Sequence, residues 1–404
     1  MPTIAILGTL DSKADEHAYV AELIRSQGFD ALLVDIGTGD APKVQPDVTR
    51  QEVAAMADID LEALLERRDR GECVSAMSKA APVAISKLAD EGRIQGIVSL
   101  GGGGGTAIAT AAMRALPLGF PKVMVSTLAS GNTAHYVGTK DIAMIPAVLD
   151  VNGLNRISKM IFARAAGAIC GMVRTEADSS DDKPIIVASM FGNTTKCVNA
   201  AKEILEAAGY EVLVFAATGA GGQAMESLIE SGMVAGILDL TTTEWADETV
   251  GGVLNAGPDR LDAMSKAKVP AVIAPGCVDM VNFGARDSVP SEFEGRNFYI
   301  HNPQVTLMRT TPEECATIGR IIAEKANANT TPVAILNPLK AVSEINGQGK
   351  PFHDAAADNA LFDAIRETAQ VETIDHDLEI NDPAFAQAAA EKLLELIEKN
   401  RNHG

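Results

Sequence analysis

The sequence predicts an α/β protein built as two Rossmann-like doubly wound lobes, with parallel sheets and a cleft between them. Three observations carry this expectation. Apolar residues make up 47% of the chain and aromatics only 4%, and a core of Ala, Val, Ile, Leu and Gly suits strands and helices stacked in layers. Short apolar runs end repeatedly in small polar loops that open a helix, which is the pattern of successive βα units. The second half of the chain then repeats the order of the first.

Ile4 to Leu7 predicts the first strand, and Gly8-Thr9-Leu10-Asp11-Ser12-Lys13 breaks it before a helix carrying Ala18, Ala21, Leu23 and Ile24. Ser12 followed by Asp15 reads as a helix cap. Thr9 and Asp11 fall where the carboxyl end of the strand opens, the edge at which ligands bind in this architecture. Ala31 to Ile36 is the second strand, and its loop Gly37-Thr38-Gly39-Asp40 faces the same edge. A capping box, Thr49 with Glu52, begins a series of covering helices that continues through Leu61 to Glu66 and Met77 to Ala89.

Ile94 to Leu100 predicts a buried strand, followed by Gly101, Gly102, Gly103, Gly104 and Gly105 and then a helix expected from Thr106. A tight turn needs one or two glycines, whereas five lose conformational entropy without a packing gain. Bare backbone N–H groups and the positive end of a helix dipole point to an anionic guest, phosphate or carboxylate. No lysine follows the last glycine, so the P-loop pattern is absent. A dinucleotide fingerprint belongs after the first strand of its unit, where this chain has Thr9-Leu10-Asp11. Gly102 to Thr106 resembles the Gly-Gly-Asp-Gly-Thr loop of phosphofructokinase-like and NAD-kinase-like enzymes, with Gly104 in place of their acid. That resemblance implies phosphate binding without the acid's part in phosphoryl transfer. Pro121 to Thr127 is a further strand, and its loop, with Ser130, Gly131 and Asn132, is expected at the same edge.

The polar, acidic stretch at 175–183 predicts a boundary and a hinge between a nucleotide-binding lobe at 1–178 and a second lobe at 184–404. Pro184 to Ser189 restarts the first strand, Val234 to Leu240 parallels Ile94 to Leu100, and Pro270 to Ala274 parallels Pro121 to Val125. Where the first half has its glycines the second has Thr241-Thr242-Thr243-Glu244. Phosphates are therefore expected on the first lobe, with Thr241, Glu244 or Arg286 reaching across the cleft. Asn302 to Thr310 and Pro332 to Pro338 predict late strands, and Asp382 to Glu398 a closing amphipathic helix.

A formal charge of −20 argues against a general nucleic-acid surface or an anionic membrane as partner. The chain enters its first strand with no basic-then-apolar leader, and no apolar run approaches membrane-spanning length. Five cysteines lack any CxxC spacing, and six histidines form no ligand pair, so neither a disulfide framework nor a zinc site is expected. The expected protein is soluble and cytoplasmic.

Taken together, Gly8-Thr9-Leu10-Asp11-Ser12-Lys13, the five glycines with Thr106, and Ser126-Thr127-Leu128-Ala129-Ser130-Gly131-Asn132 resemble the Tm-1-like ATP-binding family. The resemblance spans essentially the whole chain. It implies two Rossmann-like lobes, bound ATP with magnesium, and a homodimer. The expected nucleotide site is Gly101 to Gly105 and Thr106, surrounded by Thr9, Asp11, Lys13, Thr38, Ser130, Gly131 and Asn132, with no metal ligands assigned. Three readings follow: a nucleotide-binding protein, an ATP-dependent enzyme that activates or phosphorylates a small acid held between the lobes, and a non-catalytic small-molecule sensor.

Overall fold

A computed structural model describes residues 1–67, 69–176 and 182–403. Two compact units, Met1–Ser179 and Ser180–Gly404, make up the chain. Residues 177–181, at the centre of the expected hinge, lie outside the described residues.

The first unit runs β1 (Thr3–Gly8), α1 (Ala14–Ser26), β2 (Asp30–Asp35), α2 (Arg50–Ala55), α3 (Leu61–Arg67), α4 (Arg70–Asp90), β3 (Gly96–Gly101), α5 (Gly103–Ala115), β4 (Lys122–Ser126), α6 (Ala134–Val137), β5 (Ala143–Pro146) and α7 (Arg156–Arg174). Its five strands are parallel, in the order β2-β1-β3-β4-β5. The order reverses between β1 and β3, and such a switch point is where an open α/β sheet leaves a crevice beyond its carboxyl edge.

Both faces of this sheet are covered, as an all-parallel sheet requires. On one face α4 brings Met77, Ala80, Ala84, Ile85 and Leu88, and α5 brings Ile108, Ala112 and Met113. On the other, α1 contributes Val20, Ala21 and Ile24, and α7 contributes Ile161, Phe162, Ala165 and Ile169. Burial of each such Ile or Phe stabilises by about 1.5–3 kcal/mol. Asn155 starts α7 by accepting from the N–H groups of Ile157 at 2.9 Å and Ser158 at 3.0 Å.

The second unit runs β6 (Ile185–Met190), α8 (Thr195–Ala207), β7 (Glu211–Ala216), α9 (Ala220–Glu230), β8 (Val234–Thr241), α10 (Glu244–Val250), α11 (Ala263–Ala267), β9 (Ala271–Gly276), β10 (Met280–Phe283), β11 (Phe298–Asn302), β12 (Val305–Arg309), α12 (Pro312–Asn327), β13 (Val333–Pro338), α13 (Ala355–Thr368), β14 (Glu372–His376) and α14 (Pro383–His403). Six parallel strands lie in the order β7-β6-β8-β9-β13-β14, which repeats the first sheet's order with one strand added. One face is covered by α8 and α14, through Val198, Leu205, Phe385, Leu393 and Ile397. Gly236 in β8 allows the closest approach, since a Cβ there would lie 2.6 Å from Ile397 Cδ1.

A separate antiparallel sheet, β10-β12-β11, is an addition that the sequence reading did not anticipate. Only β12 falls within a predicted strand, because β10 and β11 are too short and mixed in polarity to show a period of two.

Polar side chains fill the second unit near the carboxyl end of β8. Arg260, 1% exposed, donates to Asp239 Oδ2 at 2.6 Å and Oδ1 at 2.8 Å, to Glu244 Oε2 at 2.6 Å and to Glu226 Oε1 at 2.9 Å. Glu244 Oε1 in turn accepts from the N–H groups of Gly219 at 2.8 Å and Gly222 at 3.2 Å, at the start of α9. Nearby, Asp247 accepts from the backbone and side-chain N–H groups of Asn282 at 2.9 and 2.7 Å.

Burial pushes the Asp247 carboxyl up to about 7, with Asn282 opposing and Glu244 adding to the shift. Glu226, Glu244 and Asp279 are raised in the same sense, burial being the largest cause for each. Between the ordinary carboxyl value of 3.8 and about 7 the folded protein therefore keeps a proton on Asp247 that the unfolded chain has released. Stability is expected to fall as pH rises through that window. Urea unfolding from pH 4 to 8 should show this loss, and Asp247→Asn should flatten its upper half; a variant with the wild-type slope would refute the assignment.

Candidate functional site

A cavity of about 760 Å³ opens at the carboxyl edge of the first sheet, where the β1 and β3 loops part. That size falls within the range for small-molecule sites, roughly 300–1,000 Å³. The loops after β1 and β2 form one wall, the start of α5 forms the floor, and Leu65, Val74 and Ile108 from α3, α4 and α5 form an aliphatic flank.

Two aspartates hold the first two loops together. Asp35, fully buried at the end of β2, accepts through Oδ1 from the N–H groups of Leu10 at 3.2 Å and Gly37 at 2.8 Å. Asp11 reaches from the first loop to accept through Oδ2 from Gly39 N–H at 2.7 Å. The second loop lies so close that a Cβ on Gly37 would sit 3.0 Å from Asp35 Oδ1 and 3.1 Å from Asp11 Cγ, and one on Gly39 2.9 Å from Asp11 Oδ2. Arg50 pins the far side, donating to the carbonyls of Gly39 at 3.0 Å and Asp40 at 2.8 Å. Burial raises the Asp35 carboxyl; the Gly37 and Leu10 N–H groups and Arg50 oppose this, and Asp11 adds to it. Asp11 Oδ1 and Asp35 Oδ2 are buried with no hydrogen-bond partner among the described residues.

The expected Ser12 to Asp15 cap is not made. Lys13 is the N-cap of α1 without a side-chain bond, and Ser12 turns back onto Thr9, its hydroxyl 3.2 Å from Thr9 Oγ1. Asp11 is engaged across the loops instead.

The glycine run is not a loop of five. Gly101 ends β3, Gly102 is the N-cap, and Gly103, Gly104 and Gly105 form the first turn of α5. The helix starts three residues before the expected Thr106 because Thr106 N–H already donates to Gly102 O at 2.8 Å, closing that turn. None of the five glycines has a positive φ. A Cβ on Gly103 would meet nothing within 4 Å, and on Gly102, Gly104 or Gly105 nothing closer than 3.8 Å. Only Gly101 is closely packed, 3.2 Å from Gly105 Cα. The N–H groups of the first turn have no acceptor within their own helix and open on the cavity.

Thr9, Asp11, Lys13, Thr38 and Gly101 to Gly105 line this one cavity, and four other expected residues do not. Thr106 is fully buried, its Oγ1 2.7 Å from Ser126 Oγ, so its hydroxyl serves the core. Ser130, Gly131 and Asn132 are exposed in the turn after β4, outside the cavity lining. Ser126 sets that turn by accepting from Leu128 N–H at 3.0 Å, and Asn132 Oδ1 accepts from Ala134 N–H at 3.1 Å.

Of the second unit's expected contributors, Thr241 and Glu244 are buried in their own unit's hydrogen bonds. Arg286 stacks on Phe298 at 4.1 Å and pairs with Glu294 at 3.5 Å.

Sequence reasoning missed Asp35, Arg70 and Asp150. Arg70, the first residue of α4, lines the cavity with its Nη2 3.9 Å from where a Gly104 Cβ would stand. Neither Arg70 nor Lys13 makes a side-chain hydrogen bond or ion pair among the described residues, so both cations are uncommitted beside the bare helix turn. The one available signal was for Asp35, an acid closing an apolar strand.

Two family profiles match the chain: the Uncharacterised protein family (UPF0261) N-terminal domain over residues 2–178, and its C-terminal domain over residues 183–397. A UPF0261 protein of Clostridium tetani is 50% identical over 98% of this chain and 99% of its own length. One from Rhizobium meliloti is 46% identical over 96% of this chain and 98% of its own length. The tomato ToMV resistance protein Tm-1(GCR237) is 38% identical over 99% of this chain, which spans 56% of that protein.

Replacing Asp35 tests the loop clasp. Asp35→Ala leaves the Leu10 and Gly37 N–H groups without their acceptor, and a buried donor left unpaired costs about 1–3 kcal/mol. The first unit should lose on the order of 2–3 kcal/mol in denaturant unfolding, and Asp35→Asn, which keeps one acceptor oxygen, should lose less. Equal stability of Asp35→Ala and wild type would show that the loops hold without the clasp.

Proposed function

The chain belongs to the UPF0261 family, and from the bare first turn of α5 we propose that it binds ATP with magnesium in the cavity of its first unit. One observation carries the reading. Gly103, Gly104 and Gly105 are required neither by backbone conformation nor by packing, yet a glycine inside a helix costs about 1 kcal/mol relative to alanine. A ligand that must touch the backbone accounts for them.

An anion suits that turn. Its unpaired N–H groups and the helix dipole attract negative charge, and the uncommitted Lys13 and Arg70 add two cations. The aliphatic flank of Leu65, Val74 and Ile108 offers a base a surface.

Magnesium fits the residues present. Three carboxylates, those of Asp11, Asp40 and Asp150, share the lining with the two cations, and Asp11 Oδ1 is buried without a partner. Magnesium is commonly held by one or two carboxylates together with ligand phosphates. It therefore needs no cage of three protein ligands, and among the described residues there is none. When bound, the ion would screen the phosphates from these acids.

Two coarser features accompany this reading. No described helix is long and apolar enough to cross a membrane, and five buried, unpaired cysteines suit a reducing compartment; we therefore assign a cytoplasmic location. The homodimer rests on the family resemblance alone. With Gly104 at the position of the kinase-like loop's acid, binding rather than phosphoryl transfer is the function assigned to this turn.

Gly103→Val and Gly104→Val give the decisive test, since neither position demands glycine for folding. Both variants should melt, by circular dichroism, at or above the wild-type temperature, and both should lose ATP binding by about a hundredfold or more in calorimetric titration with magnesium. Wild-type affinity in both variants would make the glycine turn a structural feature only.

A further inference from the structure

The segment between β5 and α7 borders the same cavity, and its inference rests on the nucleotide reading above. Three anchors fix it. Ala147 N–H donates to Ser126 O at 3.0 Å, Val151 is 1% exposed in the core, and Gly153 N–H donates to Oε1 of the buried Glu16 at 2.6 Å. Between the anchors the chain is thrown outward in a three-residue turn. Leu149 N–H donates to Ala147 O at 2.7 Å across Val148, whose φ is +64°. That is a γ-turn in the left-handed region with a β-branched residue at its centre, a conformation that persists only where the surroundings impose it.

Packing does not explain the turn. Val148 is 76% exposed and Leu149 43%. What the turn presents is Asp150, which lines the cavity and makes no hydrogen bond or ion pair through its carboxylate among the described residues. The other two lining acids differ from it: Asp11 is engaged by Gly39 N–H, and Asp40 follows β2, at the opposite edge of the sheet from β5. A carboxylate accepts hydrogen bonds and donates none. Beside an anion cradle it disfavours a ligand that offers only negative charge and favours one that brings donors.

We propose that the strained turn at Val148 holds Asp150 over the cavity as a specificity-determining residue that accepts hydrogen bonds from the ribose hydroxyls of a nucleotide. The site then selects a phosphorylated sugar over bare polyphosphate.

Calorimetric titration with magnesium present, using ATP, 2′,3′-dideoxy-ATP and tripolyphosphate as probes, tests this on wild type, Asp150→Asn and Val148→Gly. Wild type should bind ATP roughly tenfold more tightly than either other probe, the effect of one hydrogen bond to a charged acceptor. Asp150→Asn, which keeps one neutral acceptor oxygen, should lose part of that factor for ATP, keep dideoxy-ATP within about twofold, and gain affinity for tripolyphosphate. Val148→Gly should melt at a higher temperature than wild type yet lose the same preference, because relief of strain frees the carboxylate.

Equal wild-type affinity for ATP and dideoxy-ATP, or an unchanged preference in Asp150→Asn, overturns the proposal while leaving the cradle reading intact. An equal drop for all three probes in Asp150→Asn also overturns it, since Asp150 then acts on the phosphates or the metal. A Val148→Gly protein that melts higher and keeps the preference removes the turn from the assignment. Wild type that binds none of the three probes defeats the cradle reading itself.

Discussion

Loops at the carboxyl edge of a parallel sheet bring helix starts and tight turns together, and each buried N–H group there must find an acceptor. How that demand is met separates the two halves of this chain. In the second unit the chain answers it with its own carboxylate: Glu244 accepts from Gly219 and Gly222 at the head of α9, and Arg260 neutralises the cluster from within. In the first unit Asp35 and Asp11 satisfy the turns around Leu10, Gly37 and Gly39, but the first turn of α5 has no such acid. Two sheets of the same strand order thus end in one self-satisfied edge and one open edge.

The closed edge has an energetic cost of its own. Burying three acids around one guanidinium removes their hydration, and a buried ion pair recovers that loss only with good geometry. Arg260 donates to all three acids, two-pronged to Asp239, and Leu261 and Ala263 add backbone N–H groups to Glu226. Even so, burial outweighs the arginine for Glu226 and Glu244, whose carboxyls sit above their ordinary value.

The strands β1 to β4, β6, β8, β9 and β13 were legible because buried parallel strands are continuous apolar runs, whereas β5, β7 and β14 lie at sheet edges, are only partly buried and gave no such run. The repeat was legible because loops and strands recur in order. Glycine marks the edge that has no acid of its own, but five in a row suggest a loop, whereas the backbone winds into a helix from Gly103. The position of Thr106 after the run suggests a ligand contact, but its hydroxyl faces Ser126 because the helix has already begun. Ser130 to Asn132 were assigned by the strand they follow, whereas the bond from Leu128 to Ser126 directs the chain elsewhere. Arg70 and Asp150 lie far from the motifs in sequence and meet them only through the packing of α4 and the anchors around Val148, which no local pattern encodes.

The position of α14 has a consequence for how the chain matures. The first sheet's equivalent cover, α7, ends at Arg174, so the first unit has all its elements in hand well before those of the second are made. The second sheet is different: Phe385, Leu393 and Ile397, which close one of its faces, come from the last helix described. Until that helix leaves the ribosome, an apolar strip centred on β8 stays uncovered, with Gly236 offering no side chain to shield it. Domains that wait in this way are open to premature association. Of the two units, the second is therefore the one whose apolar face waits longest for its cover.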